Sequence, residues 1–401
     1  MDRNQSKIEK LIAGLCPNGV KFKELGELGM FYGGLSGKDK DDFGDGNAKF
    51  VTYMNIFSNI EVNTDINTFV KVIKDENQNK IEYGDVLFTG SSETPNECGM
   101  SSVLTKKISE PLYLNSFCFG FRFHDANLLL PEFSKYLFRD EQMRKQIAKT
   151  ASGVTRFNVS KKRFAKIKIP LPPVAIQEEI VKILDGFTEL EAELEAELEA
   201  RKKQYEYYRE ELLMFEDDVA IKRISEICQI NRGRVMSKDY LKNNAGEYPV
   251  YSSQTADNGI FGRINTYDYD GEYLTWTTDG AYAGSIFYRN GKFSITNVCG
   301  LLKAKSGDIN MKFLSYILAT VSKNYVSSGM GNPKIMSNVM EKIKIPVPSI
   351  PEQERIVKTL DKFDALVNDI SIGLPAEILA RRQQYEYYRG KLLNFKEYAK
   401  Q

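Results

Sequence analysis

Two long stretches of the chain alternate apolar and polar residues at helical spacing, and one is a copy of the other. Residues 169–215 read IPLPPVAIQEEIVKILDGFTELEAELEAELEARKKQYEYYREELLMF, and residues 345–395 read IPVPSIPEQERIVKTLDKFDALVNDISIGLPAEILARRQQYEYYRGKLLNF. The first halves match at a constant offset, as from Gln177 to Gln353, and the second halves match at an offset four residues larger. A match of this length does not arise by chance, so the chain contains an internal duplication.

Both stretches are predicted to be long helices that pack on each other. Prolines precede each periodic run, and Gln and Glu follow in the first turn, as at helix N-termini. Apolar residues then recur in steps of three and four, which is the pattern of a coiled-coil seam. In the second copy Gly373 and Pro375 fall inside the run, where we expect a kink or a local break.

Each helix follows a globular region with mixed patterns. Short strand-like runs, such as YLNSFCFGFRF at 113–123, alternate with polar loops and with helical patterns at 130–149 and 311–323. Residues 271–275 correspond to residues 84–88, so the second region repeats the outline of the first. The predicted fold class is α+β, with two globular domains separated by two long antiparallel coiled-coil helices in a pseudo-twofold internal repeat.

Chain order sets the predicted domains. The first helix carries the chain away from the first region, and the second helix must run back from the second region, which makes the helices antiparallel. We predict a first globular domain with an N-terminal helix, a central helix, a second globular domain and a distal helix, at residues 1–168, 169–216, 217–344 and 345–401.

The near-neutral net charge of +1 hides a strong segregation of charge. Residues 185–200 contain seven acidic residues and no base, whereas residues 144–168 contain nine basic residues and no acid. A basic segment of this density favours an anionic partner, although it is also compatible with ordinary solvated surface.

The sequence contains no recognisable set of catalytic residues. His124 is the only histidine, and no Walker A loop, GxGxxG motif or metal-ligand spacing is present. The five cysteines are scattered and odd in number, which fits a reducing cytoplasm. No apolar run is long enough to span a bilayer. We therefore expect no catalytic residue, no metal, no cofactor and no membrane association.

The proline-led QEEIVKILD and QERIVKTLD segments, the LEAE repeats and the twin QYEYYR segments closely resemble the specificity (S) subunit of type I restriction–modification systems. The resemblance covers essentially the whole chain and is strongest in the helices. It implies that the globular regions are target-recognition domains, each reading one half of a split double-stranded DNA target. It also implies two methyltransferase subunits and motor-nuclease subunits as partners, with the chemistry residing in them.

Candidate DNA-binding residues follow from the basic segment and from the polar loops. Phosphate contacts need only Lys or Arg, whereas base reading needs polar side chains on loops. In the first domain the candidates are Ser91, Ser92, Glu93, Thr94, Asn96, Arg144, Arg156, Lys161, Lys162 and Arg163. In the second domain they are Ser252, Ser253, Gln254, Thr277, Thr278, Asp279 and Lys334. Polar loops can also be merely polar.

Two tyrosines are candidates for partner contact. Tyr205 and Tyr208 fall on the helix seam, whereas Tyr207 and Tyr387 fall off it and are expected to be exposed. Three alternatives stay open at this point: a self-sufficient modification or cleavage enzyme, a coiled-coil scaffold with protein-binding heads, and an S subunit of a methylation-only system.

Overall fold

The computed structural model describes residues 6–74, 76–216, 218–327, 331–369 and 371–398. The chain forms two compact units. Unit 1 comprises Met1–Glu195 and Ile378–Gln401, and unit 2 comprises Ala196–Glu377. Each unit contains one globular region and parts of both long stretches. Because this division passes through the helices themselves, the four predicted domain boundaries stay a prediction.

Unit 1 mixes short helices with short strands, as the α+β pattern predicts. Its globular helices are α1 (Lys7–Leu15), α2 (Leu25–Leu28), α3 (Tyr53–Ser58), α4 (Pro131–Leu137), α5 (Glu141–Ala148) and α6 (Lys161–Phe164). Its strands are β1 (Lys21–Glu24), β2 (Gly29–Gly33), β3 (Phe43–Val51), β4 (Phe69–Val70), β5 (Val86–Thr89), β6 (Ser91–Ser92), β7 (Ser101–Val103), β8 (Leu112–Leu114), β9 (Cys118–Phe123), β10 (Ala151–Ser152), β11 (Phe157–Val159) and β12 (Lys168–Leu171).

The strands of unit 1 form four sheets. A four-stranded antiparallel sheet has the order β2-β9-β5-β7, and a three-stranded sheet has the order β4-β3-β8 with β3 and β8 parallel. Strands β1 and β12 form an antiparallel pair, and β10, β11 and β6 form a small sheet. Against the four-stranded sheet packs Phe164, whose ring lies 4.9 Å from that of Phe88 and 5.6 Å from that of Phe119. Since Phe164 is fully buried, it anchors the one-turn helix α6 to the core.

The first long stretch is one continuous helix, α7 (Val174–Leu213), as predicted. Its beginning belongs to unit 1 and its end to unit 2. The second stretch is not one helix: the first part ends at Asn368 and the second begins at Leu374, next to Gly373 and Pro375, where a break was expected. It forms two helices, which are α12 (Ile350–Asn368) and α13 (Leu374–Leu393) in chain order.

Unit 2 repeats the outline of unit 1. Its globular helices are α8 (Ile224–Ile227), α9 (Lys238–Asn243), α10 (Met311–Val321) and α11 (Ser337–Met340). Its strands are β13 (Ile221–Arg223), β14 (Cys228–Arg232), β15 (Ala245–Tyr251), β16 (Ile260–Ile264), β17 (Tyr269–Thr277), β18 (Ile286–Ile295), β19 (Cys299–Ala304) and β20 (Lys344–Pro346). The pair β13 and β20 corresponds to β1 and β12 of unit 1.

The main sheet of unit 2 has the order β14-β19-β17-β18-β15-β16. Its first four strands follow the order of β2-β9-β5-β7, which confirms the predicted match of residues 271–275 with residues 84–88. The two units differ in one respect. Strand β18 is long enough to pair both with β17 and, in parallel, with β15, whereas separate strands β7 and β8 take these places in unit 1. A continuous six-stranded sheet results.

The long helices pack through the same aromatic arrangement in both units. In unit 1 Phe187 stacks on Tyr388 with ring centroids 5.6 Å apart, and in unit 2 Phe363 stacks on Tyr208 at 5.4 Å. Each phenylalanine therefore comes from one copy of the repeat and its tyrosine from the other. In unit 1 Arg382 also pairs with Glu191 and Glu195.

In unit 1 Phe187 of α7 contacts Tyr388 of α13, and Glu195, further along α7, contacts the earlier residue Arg382 of α13. The two helices are therefore antiparallel, as predicted. The tyrosines assigned to the seam lie there.

Two predicted elements differ from the structure. The run 130–149 forms two helices, because Asp140 is extended and its side chain accepts a hydrogen bond from the backbone of Gln142 at the start of α5. The run 113–123 forms two strands separated by a turn, in which Asn115 accepts from Phe117. Within the described residues, no helix is long and apolar enough to cross a membrane.

Candidate nucleic-acid interface

The small sheet of unit 1 brings together two segments that the sequence singled out separately. Strand β11 pairs with β10 on one side and with β6 on the other, so Asn158 lies between Ser152 and Ser91. The Arg156 side chain reaches back across this sheet, and its Nε lies 3.0 Å from Oγ of Ser91. The polar loop after β5 and the basic segment thus form one surface.

This surface is concave. The hollow has a volume of about 440 Å³ and includes four of the predicted residues together with two stacked aromatic rings from α3. Its lining residues are Tyr53, Met54, Phe57, Ser91, Ser92, Glu93, Glu97, Thr155 and Arg156. We refer to this hollow as the module-one hollow.

The module-one hollow contains both a positively charged side chain, Arg156, and negatively charged side chains, Glu93 and Glu97. The Glu97 carboxylate accepts hydrogen bonds from Ser92 at 3.2 Å and from Thr94 at 2.9 Å. These two bonds fix the loop that carries Glu93, whose side chain is exposed. The hollow therefore presents a guanidinium from the bend between β10 and β11 and carboxylates from the loop after β6.

Sequence reasoning missed one residue at this edge. Phe117 is 62% exposed, and the guanidinium carbon of Arg156 lies 5.8 Å from the centre of its ring. Its carbonyl accepts a hydrogen bond from Gly90 at 2.8 Å, which places it beside β6. The residue was absorbed into a predicted strand, and the signal that could have found it is Asn115, a turn-forming residue two positions earlier.

The basic helix α6 presents its charges to solvent. Lys161, Lys162 and Arg163 are exposed, and the Ser160 side chain caps the helix by accepting from the backbone of Arg163. Phe164 is buried beneath them, and the ammonium of Lys161 lies 5.4 Å from the centre of the Phe119 ring. The structure thus leaves them available to an anion, which is what the sequence predicted of them, although their role stays a prediction.

Arg144 requires a correction. Its guanidinium donates to the backbone carbonyls of Asn96 at 2.8 Å, Cys98 at 2.7 Å and Gly99. Burial lowers the pKa of this guanidinium to about 10. Arg144 therefore holds the loop that contains Asn96 in place, and we do not retain it as a phosphate contact.

In unit 2 isolated β-bridges take the place of the small sheet. Lys334 pairs with Asp279 on one side and with Ser327 on the other, as Asn158 pairs with Ser91 and Ser152 in unit 1. Lys334 is exposed and Asp279 is half-buried. The same framework therefore carries a lysine and an aspartate where unit 1 has an asparagine and a serine.

Thr277 and Thr278 are buried, so their predicted contact with DNA is not supported. The Thr277 hydroxyl accepts from the backbone of Ser285 at 3.1 Å, and the Thr278 hydroxyl accepts from Arg232 at 3.3 Å. They hold the end of β17 together. A polar residue at a strand end can serve the fold in this way, which composition does not reveal.

The remaining candidates of unit 2 lie on the loop after β15. The hydroxyl of Ser252 lies 2.8 Å from that of Thr296, and Gln254 donates to the carbonyl of Ile260. Ser253 is half-buried between them. These bonds order the loop, and the roles of its side chains toward DNA stay predictions.

The off-seam tyrosines of the long helices are exposed as expected. Tyr207 is 63% exposed in unit 2 and Tyr387 is 64% exposed in unit 1. Each ring packs edge-on against its neighbour, Tyr208 or Tyr388, at 5.5 and 5.3 Å respectively. This contact fixes the orientation of an exposed aromatic ring on each helix. No group of three or more metal-ligating side chains occurs in the described part of the chain.

Two modules with the same strand order and with corresponding backbone pairs, a small sheet in unit 1 and isolated bridges in unit 2, are each joined to a long helix, so the chain is a duplicated protein. The chain matches the family of type I restriction modification DNA specificity domains twice, over residues 17–200 and 216–380, and it belongs to that family. The predicted specificity subunit is thus confirmed, and with it the assignment of the chain as a non-catalytic subunit.

Relatives and solved structures agree with this membership. The specificity subunit of the type I restriction enzyme MpnII of Mycoplasma pneumoniae is 44% identical over 204 residues, covering 49% of this chain and 62% of that protein. Another M. pneumoniae protein named as a type I specificity subunit is 44% identical over 240 residues, covering 58% of this chain and 97% of the relative.

The solved structures share the fold at low identity. The S subunit of M. genitalium aligns over 94% of this chain and 96% of its own, with a TM-score of 0.54 and 14% identity. A chain from a structure on assembly and conformational transition of the type I system aligns over 94% of this chain and 98% of its own, with a TM-score of 0.66 and 19% identity. The predicted fold class is confirmed.

Proposed function

We propose that this chain reads a split double-stranded DNA target, with one half-site read by each unit. The observation that carries the proposal is the repeated backbone pairing, a small sheet in unit 1 and isolated bridges in unit 2, which carries polar or basic residues at corresponding places. In unit 1 it is the edge formed by β6, β11 and helix α6. In unit 2 it is the edge formed by Asp279 and Lys334.

The two edges have one framework and different side chains. Shared backbone pairing fixes where each edge lies in its unit, and the exchanged side chains set what it contacts. Basic side chains such as Lys161 and Lys162 would position the phosphates, and Ser92, Glu93, Arg156, Gln254 and Asp279 would face base edges. This arrangement is expected of two domains that recognise different DNA half-sites.

The long helices are the proposed docking sites for two methyltransferase subunits, with motor-nuclease subunits joining the assembly. Exposed aromatic rings at corresponding positions of both helices, Tyr207 and Tyr387, support this proposal, because aromatic residues are enriched in protein interfaces. Adenine methylation, ATP use and cleavage would then belong to the partners. We place the complex in the cytoplasm, where its DNA would be met.

The test is to map methylated sequences in cells that carry or lack this chain together with its own methyltransferase subunits. A split motif that appears only with the chain is expected. Replacing residues 219–344 by another module should then change one half of the motif only. A motif that does not depend on the chain, or that changes in both halves, would contradict the proposal.

A methylation-only system lacks the motor-nuclease subunits of a restriction system. Loss of unmethylated incoming DNA in the same cells would indicate a restriction system, and its survival a methylation-only system. The relatives and solved structures give no support to a coiled-coil scaffold with protein-binding heads. Salt-insensitive or absent DNA binding by the assembled complex would favour that alternative.

A further inference from the structure

The module-one hollow contains opposite charges that are not paired with each other. Arg156 and Glu93 both line it, yet among the described residues they form no ion pair. The guanidinium is held by Ser91, whose Oγ lies 3.0 Å from Nε, and its two terminal nitrogens have no hydrogen-bond partner among the described residues. The hollow thus contains a guanidinium that can donate hydrogen bonds and a carboxylate that can accept them.

The two carboxylates of the hollow differ in their availability. Glu97 is engaged by the hydroxyls of Ser92 and Thr94, which makes it a support for the loop. Glu93 is exposed and makes no hydrogen bond or ion pair with any described residue. It is therefore the acceptor that a ligand can use.

A free carboxylate on a DNA-reading edge needs an explanation, because it repels the phosphates that give most of the affinity. A carboxylate is useful there when it accepts from an exocyclic amino group in the major groove, and its preferred partner is N4 of cytosine. Arginine, in turn, donates to O6 and N7 of guanine. Cytosine and guanine of one base pair present these groups side by side.

We propose that the module-one hollow reads the major-groove edge of one C·G base pair, with Glu93 accepting from the cytosine and Arg156 donating to the guanine. Ser91 and Glu97 act as positioning residues, through Arg156 and through the loop of Glu93. This inference rests on the proposed function, since it names the base pair that the same edge selects.

The experiment compares three variants in the full complex of this chain with its methyltransferase subunits. Glu93→Gln removes the charge but keeps the shape, and Arg156→Lys keeps the charge but removes the fork. Glu110→Gln is the matched control, because Glu110 is an exposed carboxylate of unit 1 that does not line the hollow. Methylated motifs are mapped in cells, and binding is measured with duplexes that carry each of the four base pairs at each position.

Both site variants should alter the same C·G position, in one half-site only. Discrimination at that position should fall by about 5- to 150-fold, the range for a good bidentate contact. Glu93→Gln should also admit adenine there, because an amide both accepts from and donates to adenine. Glu110→Gln should leave the motif unchanged.

The proposal is overturned if the two variants change different positions, change an A·T position, or leave the motif unchanged. If a variant fails to assemble, as judged by its melting temperature, the other site variant decides alone by the position that it changes. Absence of any chain-dependent motif in the wild type would instead sink the proposed function, so the two failures are distinguishable.

Discussion

The side-chain oxygen of Gln177 accepts a hydrogen bond from the backbone N–H of Leu130 at 2.8 Å. The amide nitrogen of the same glutamine donates to the carbonyls of Leu128 at 3.1 Å and Pro172 at 2.8 Å. Gln353 makes the corresponding three bonds in unit 2. Both side chains are fully buried. One glutamine in each copy therefore connects the start of a long helix to the turn before a helix of its module, α4 in unit 1 and α10 in unit 2.

Replacing Gln177 with Ala should lower the free energy of unfolding by about 2–4 kcal/mol, because a buried backbone donor or acceptor without a partner costs about 1–3 kcal/mol. Gln353→Ala should have an effect of similar size in unit 2. Urea denaturation measures both. Glu178→Ala is the control, since Glu178 is the exposed neighbour and should change stability by less than about 0.5 kcal/mol. Equal effects of Gln177→Ala and Glu178→Ala would contradict the anchoring role.

The basic helix α6 offers a test of phosphate contact. Changing Lys161, Lys162 and Arg163 together to Glu should weaken DNA binding by the assembled complex and flatten its salt dependence. Each lost phosphate contact should reduce the slope of log K against log salt by about 0.9. Because the three side chains are exposed, the variant should fold normally.

A control for charge alone is Lys106→Glu combined with Lys107→Glu, two exposed residues of unit 1 outside the basic segment. These changes should alter the slope much less. If the α6 variant kept the wild-type slope, its basic residues would be ordinary surface.

The exposed tyrosines of the two helices should carry part of the methyltransferase interface. Tyr207→Ala and Tyr387→Ala are each expected to weaken subunit association by about 1 kcal/mol or more, which is about fivefold. Association can be measured by titration of purified subunits, with melting temperatures as a check on folding. Tyr83→Ala, at another exposed tyrosine of unit 1, serves as the control. Unchanged association in the double variant Tyr207→Ala and Tyr387→Ala would place the interface elsewhere.

Periodicity was enough to predict the helices, because a seam repeated over many turns and copied once leaves little ambiguity. It could not predict the small sheet of unit 1. Its strands β6, β10 and β11 are two or three residues long, and Ser91 pairs with a residue 67 positions away. Such short strands form only because the core of the module brings them together, so no local sequence pattern predicts them.

The errors among the candidate residues have the same origin. Counting charge cannot distinguish Arg156, which faces the hollow, from Arg144, whose donors are taken by three carbonyls of a distant loop. Polarity alone likewise cannot separate exposed Glu93 from buried Thr277 and Thr278. In each case tertiary hydrogen bonding decides the role of the residue.

We predict that the LEAE repeat at 190–200 sets the distance between the two half-sites. Within it α7 passes from unit 1 to unit 2, after Glu195. Equivalent glutamates of successive units are four residues apart, so Glu191 and Glu195 lie on one helix face and bind the same partner, Arg382. An inserted copy would supply an identical pair of glutamates, which allows the contact to re-form.

Insertion of one LEAE unit should widen the gap between half-sites by one or two base pairs without changing either one. A unit adds roughly 6 Å of helix and turns it by about 400°, so the seam rotates by only about 40°. Base pairs are about 3.4 Å apart, and bending of helix or DNA favours the smaller change. Inserting only Glu-Ala turns the seam by about 200° and should abolish activity. Mapping the methylated motif reads out both variants. An active LEAE variant with an unchanged gap would show that the repeat is helical filler and not a ruler.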